Sequence, residues 1–209
     1  MNKITPLFIF LALVLLALES CSLSALSPNA SSSATIKDSR DGQTYKTVVI
    51  GTQTWMAQNL NYMPSSGNSW CYSGNASTCE TYGRLYDYTK ARTVCPTGWH
   101  LPDTTEWNTL EAAVGGTATA GTALKSVSGW SSDGDNGTNA YGFSALPTHF
   151  CNGVTSSCYV SDDGYWWTAT VDGNFNAYYR GMGYSGTGVL HDDTDQSFGF
   201  AVRCLKNTP

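Results

Sequence analysis

The chain opens on an apolar run and then turns polar, with short hydrophobic stretches set between long turn-forming segments. Residues Met1 to Leu18 carry one basic residue, Lys3, ahead of Leu, Ile, Phe, Val and Ala, the pattern of a secretory signal. The run is short for a membrane-spanning helix, and no second apolar run follows it. Ser, Ala, Pro and Asn then dominate to residue 35, a composition that predicts a flexible tether. Tyr45 to Ile50 is β-branched and strand-like, Gly51-Thr52 follows, and then Gln53-Thr54-Trp55-Met56. A two-residue loop with Gly first predicts a type II′ hairpin. Asn59 to Ala76 is polar, aromatic and turn-rich and reads as loop, with one short strand around Trp70 to Tyr72. Tyr82 to Asp87 reads as the start of another short element.

After Pro102 the spacing changes from turn-rich to helical. Asp103 is a good N-cap, Glu106 completes an Asp-x-x-Glu capping box, and Trp107, Leu110 and Val114 share one face. Gly115-Gly116 stops that helix. A second helix is predicted around Thr119 to Val127, followed by a Gly/Asp/Asn-rich loop over Ser131 to Asn139. Tyr165 to Thr170 is strand-like, Asp172-Gly173-Asn174 turns the chain, and Asn176 to Met182 predicts the returning strand. At the end, Phe198, Phe200, Val202 and Cys204 alternate with Gly199, Ala201, Arg203 and Leu205, a period of two with one fully apolar face. Strands, two helices, long loops and closing strands predict an α+β domain with a small, mostly antiparallel sheet.

Charge and cysteines narrow the class. Eleven Lys and Arg against 16 Asp and Glu leave a formal net charge of −5, which argues against a nucleic-acid partner because phosphate contacts need clustered cations. Seven Trp and 12 Tyr among 21 Gly suggest an aromatic, loop-rich extracellular module. Of the seven cysteines, Cys21 follows the leader as Leu18-Glu19-Ser20-Cys21, where Leu at minus three and a small residue at minus one form a lipid-attachment site. Glu19 is atypical there, and Ser22 rather than Asp favours the outer membrane. The expected organisation is a signal peptide over 1–20, a tether over 21–35 and one domain over 36–206. The membrane is met through the N-terminal lipid alone, on the periplasmic or the cell-surface face. Lipidation leaves an even set of six, Cys71, Cys79, Cys95, Cys151, Cys158 and Cys204, for disulfides. Sequence does not choose among the pairings that six allow.

Several blocks resemble a known family. Asp41-Gly42-Gln43-Thr44-Tyr45, Ile50-Gly51 and Gln53 to Leu60 are similar to the opening of the Fibrobacter succinogenes major paralogous domain. Cys95-Pro96-Thr97-Gly98-Trp99-His100-Leu101-Pro102 with Glu106-Trp107 resembles its central motif. Tyr141 to Pro147, Trp166 to Thr170 and Gly199 to Cys204 resemble its later blocks, in order. The resemblance implies secreted proteins and lipoproteins and no established activity. It also implies a C-type lectin-like fold, shared with the formylglycine-generating enzymes, closed by Cys95–Cys204. Cys71–Cys79 and Cys151–Cys158 would then each close a local loop.

Candidate chemistry is sparse. Gly181-Met182-Gly183-Tyr184-Ser185-Gly186 matches G-x-G-x-x-G, yet Thr187-Gly188 rather than a helix follows, so a glycine-rich hairpin is expected. Asp133-Gly134-Asp135 and His191-Asp192-Asp193-Thr194-Asp195 carry acids at calcium-loop spacing but lack a full ligand set, and solvated turns are expected. His100, His149 and His191 form no metal-binding motif, and His100 beside Trp99 is expected in a buried hydrogen bond. No catalytic constellation and no cofactor is expected, and paired carboxylates for glycoside cleavage need a separation that sequence does not give. Trp99, Trp107, Trp167 and Phe200 are expected in the core. Trp70, Tyr72, Tyr165, Tyr178 and Tyr184, next to Gly, Ser and Asn, are the candidates for a ligand surface, against the alternative that they pack under loops. The reading is a lipid-anchored, non-enzymatic binding or adhesion module for polysaccharide or protein. A hydrolase or protein-modifying enzyme on the same scaffold, or a structural surface protein, are its alternatives.

Overall fold

A computed structural model describes residues 34–130 and 136–208. The signal peptide, Cys21 and Asp133-Gly134-Asp135 lie outside the described residues. Two sheets organise the rest. The first has the order β1-β2-β3-β13-β6: β1 (Ala34–Lys37), β2 (Thr44–Ile50), β3 (Gln53–Met56), β13 (Leu205–Lys206) and β6 (Trp99–His100). The β2–β3 hairpin forms as expected, with Val48 opposite Trp55 and Gly51 at a φ of 58° while Thr52 stays at negative φ. Ala34 and Thr35, read with the tether, instead pair in β1 with Thr47 and Lys46.

The second sheet runs β11-β10-β9-β12-β5-β4: β11 (Leu190–Asp195), β10 (Asn176–Met182), β9 (Gly164–Asp172), β12 (Phe198–Ala201), β5 (Leu85–Tyr86) and β4 (Ser69–Trp70). β7 (Phe150–Asn152) extends it from β12, and β8 (Ser157–Tyr159) pairs with β7. Strand pairing is antiparallel except between β12 and β9. His191 to Asp195, expected as a solvated turn, is the edge strand β11, held by the unbroken register Asn176↔Asp195 to Gly181↔Leu190. One expected closing strand is two, because Val202–Cys204 leaves one sheet for the other. The carbonyls of Val202 and Cys204 accept from Leu60 N and Met56 N across that passage.

Four α-helices, not two, occur among the described residues. α1 (Ala76–Tyr82) starts at Asn75, whose side chain accepts from Ser77 N, and stops at Gly83 with a φ of 81°. α2 (Tyr88–Ala91) is capped by Asp87, which accepts from Lys90 N. Both are too short to show helical periodicity in sequence. α3 (Thr104–Ala113) carries the predicted capping box: Asp103 Oδ1 accepts from Glu106 N at 2.8 Å and Glu106 Oε2 accepts from Asp103 N at 2.9 Å. Its buried face holds Trp107, Leu110 and, unexpectedly, Glu111. α4 (Thr117–Leu124) begins two residues before its predicted start and ends three before its predicted end.

Two hydrophobic clusters lie on opposite faces of the second sheet. Trp55, Trp107, Leu110, Leu124, Phe143 and Trp166 fill one; Tyr86, Tyr88, Trp167, Phe200, Val202 and Cys204 fill the other. The period of two in β9 sends Trp166 and Trp167 to different clusters. Each indole N–H is satisfied, Trp166 by Asn59 Oδ1 and Trp167 by the Tyr86 carbonyl, both at 2.8 Å. The expected cores at Trp107, Trp167 and Phe200 are buried, while Trp99 is half-buried at the edge. Three disulfides brace the fold: Cys95–Cys204, Cys71–Cys79 and Cys151–Cys158.

Candidate functional site

The face of the second sheet that carries Trp167 is covered at one end and open at the other. Alternation in β9 puts Tyr165 on that face, and alternation in β12 puts Phe198 beside Phe200. In β10 it places Tyr179 there with Ala177, and the β10–β11 register sets Asp192 opposite Tyr179 and Thr194 opposite Ala177. Phe150 of β7 and Tyr159 of β8 extend the row through the same register. The rings touch in sequence across the sheet. Tyr179 meets Tyr165 at 5.9 Å, Tyr165 meets Phe150 at 5.9 Å, and Phe150 meets Tyr159 at 5.2 Å and Phe198 at 6.2 Å. Phe150, Tyr165, Tyr179 and Phe198 are half-buried, and Tyr159 is 47% exposed. A shallow groove of about 180 Å³ runs between Phe150, Tyr165, Tyr179, Thr194, Phe198 and Phe200.

Carboxylates stand at the rim. Asp163 Oδ2 accepts from the Tyr165 hydroxyl at 3.1 Å, and Asp192 Oδ2 accepts from the Tyr179 hydroxyl at 3.5 Å. Burial, with Asp192 close by, pushes the Tyr179 phenol up to about 12; burial also raises Tyr165. Both hydroxyls therefore stay protonated and donate at neutral pH, and the acids keep free lone pairs for a ligand.

Of the aromatics singled out in sequence, only Tyr165 joins this surface. Trp70 lies against Gly199, where an added Cβ would come within 2.7 Å of the indole Cε3, so it is packing. Tyr72 stacks on His149 at 4.0 Å. Tyr178 projects from the opposite face of β10 toward Asp172 and Asp193. Tyr184 is 39% exposed and next door, its amide donating to Asp163 Oδ1 at 2.9 Å. Phe150, Tyr159, Tyr179 and Phe198 were not singled out. The signal available for them was aromatic alternation within each strand, which becomes one surface only when strand order is known.

A second polar cluster sits on the other face. Glu111, 1% exposed, accepts from Arg180 Nε at 3.1 Å and Thr117 Oγ1 at 2.7 Å, and its carboxylate oxygens lie 2.9 and 2.8 Å from His191 Nε2. These groups engage one another and tie β10 and β11 to α3. The glycine-rich turn after β10 wraps Lys125, whose Nζ donates to the carbonyls of Gly183, Tyr184 and Gly186. His100 makes its expected hydrogen bonds, to Glu106 and Asn207, but is 37% exposed rather than buried. Among the described residues, no group of three or more His, Cys, Asp or Glu is placed to hold a metal ion, and no helix is long and apolar enough to cross a membrane.

Residues 48–206 match the family model described as the Fibrobacter succinogenes major domain. The chain belongs to that family. No curated protein and no solved structure matches it. Within this Fibrobacter succinogenes major domain, the matched span contains the entire ring array, both rim acids and all three disulfides.

Proposed function

We propose that this protein is a non-catalytic polysaccharide-binding module, carried on a C-type lectin-like scaffold and held at the outer membrane by a lipid on Cys21. The observation that carries the reading is the row of mutually packed, half-exposed rings on one open sheet face. Sugar rings present C–H faces that stack on aromatic π-surfaces, and hydroxyls that need both donors and acceptors. Asp163 and Asp192 supply acceptors at the edge of the apolar floor, and the Tyr165 and Tyr179 hydroxyls, whose single protons go to those acids, hold them there and offer their own oxygen lone pairs. Ring–ring contacts hold the aromatics in place before a ligand arrives, which lowers the entropy cost of binding. A groove open along its length suits a chain rather than an enclosed small molecule. The acidic rim and the net charge of −5 favour a neutral glycan. The lectin-like assignment is supported by Cys95, just ahead of α3, being bridged to Cys204, close to the last strand. The anchor rests on the leader and on Leu18-Glu19-Ser20-Cys21.

Affinity electrophoresis of the full chain through gels holding xylan, β-glucan or mannan tests the reading. At least one neutral glycan should retard it and emerge with its chain length unchanged. Tyr165→Ala and Tyr179→Ala should each weaken retention about tenfold, the effect of losing roughly 1.4 kcal/mol at a central aromatic contact. Met63→Ala, at a residue 69% exposed outside the ring array, should leave it unaltered. Equal retention of the ring variants, or capture of a protein but of no glycan, would overturn the proposal.

A further inference from the structure

Arg203 stands in the passage between β12 and β13 and is 1% exposed. Its Nε donates to Asn59 Oδ1 at 2.9 Å, and its Nη1 donates to the Met56 and Phe143 carbonyls at 3.3 and 2.5 Å. All three acceptors are neutral. The guanidinium also lies over the Phe143 ring at 4.4 Å. Arg180, buried to the same degree, has the Glu111 carboxylate; the ion pairs among the described residues do not include Arg203. A buried cation without an anion is unfavourable, and burial pulls this one down to about 9.

Nη2 makes no hydrogen bond among the described residues. It is not sealed in either, since the enclosed and unpartnered side-chain nitrogens there are Arg84 Nε and Trp107 Nε1. Arg203 lines a cavity of about 350 Å³ together with Gln58, Asn59, Ser126, Ser144 and Leu146. That volume is in the range of sites for small organic molecules. Gln58 Oε1 accepts from the Lys46 amide at 2.9 Å, which leaves its Nε2 as a second donor. Two further titratable groups line the cavity, the Tyr45 phenol and Glu80. Burial pushes Tyr45 up to about 12, so it is neutral, and Glu80 is exposed to solvent. The exposed Glu80 carboxylate repels any anion, and a phosphate dianion twice as strongly as a single charge at the same distance.

We propose that this cavity binds a small monocarboxylate, whose anion pairs with Arg203 Nη2 and takes a second hydrogen bond from Gln58. The site is separate from the ring array and does not depend on it. A uronic acid and the carboxyl end of a peptide carry the same group, so the chemistry is shared and the probes must separate them.

Thermal unfolding of the full chain in sodium acetate, against sodium chloride at matched ionic strength, reads the site. Acetate should raise the midpoint saturably, as a ligand of the native state does, and chloride should not. Galacturonate and N-acetylalanine then distinguish the two sources by which saturates at lower concentration. Gln58→Glu keeps the acceptor for the Lys46 amide while placing an internal anion in the cavity, so its acetate response should vanish. Because Arg203 also braces the fold, the unsubstituted protein gives an independent measurement. Its Gln58 side-chain amide and Arg203 guanidinium NMR signals should shift saturably with acetate. Equal acetate and chloride responses, an acetate response retained in Gln58→Glu, or unmoved signals would each overturn the proposal.

Discussion

His149 takes a positive φ of 59° and is packed between Tyr72, stacked at 4.0 Å, and the edge of Tyr82 at 5.4 Å. The Ser161 amide donates to its Nδ1 at 3.0 Å, a bond that needs the unprotonated nitrogen. Burial lowers the imidazole from its ordinary 6.5. The unfolded chain therefore binds this proton at a higher pH than the folded one. The corresponding stability is complete above about 6.5 and is lost as pH falls through the lowered folded value. Urea midpoints measured from pH 7.5 to 5 should drop on the acid side, and His149→Asn, which tolerates positive φ, should flatten that drop. An unchanged slope in the variant would remove His149 as the cause. Nothing in the local sequence marks His149 as buried, because its cover comes from the distant Cys71–Cys79 loop. The same holds for Trp70 and Tyr72. Their neighbours Gly, Ser and Asn suggested exposure, yet long-range partners, Gly199 and His149, cover one side of each ring and leave it half-buried.

At the scale of elements, legibility followed length and local chemistry. α3 was readable to within a residue because its cap, its stop and its apolar stripe are all local. The β2–β3 and β9–β10 hairpins were readable because Gly51 and Gly173 supply the positive φ their turns require. α1 and α2 were not, being too short to show helical periodicity, and β11 was not, because its acidic run becomes a strand only through pairing with β10. The break between β12 and β13 was also hidden: alternation continues through Val202 while the hydrogen-bonding partner changes. That break makes the Cys95–Cys204 bridge important, because it ties the crossing point to the segment ahead of α3. The bridge closes a loop with a separation of 109 residues, against 8 for Cys71–Cys79. In the chain-entropy model these are worth about 4.7 and about 2.6 kcal/mol. Replacing both cysteines of the long bridge with Ala should therefore lower the denaturant midpoint roughly twice as far as the same change at Cys71 and Cys79. Equal losses would show that the unfolded chain is not constrained by loop length.

For the whole molecule, the proposed lipid on Cys21 would hold the domain at a membrane surface. The intact mass of the N-terminal peptide, purified from a bacterial membrane, should begin at Cys21 and carry acyl chains. An unmodified Cys21 would end the anchor proposal and leave the binding proposal standing. Charge, cysteine count, the capped helix and the family blocks were determined by sequence alone, because each is a local or compositional property. Tertiary structure alone decided which aromatics share a surface, since strand order sets Phe150, Tyr165, Tyr179 and Phe198 side by side from separate parts of the chain. It also decided that Arg203 is buried without a counter-charge. Alternation in a strand gives each side chain one of two faces, but whether a face meets solvent, a core or a cavity depends on what the rest of the chain lays against it.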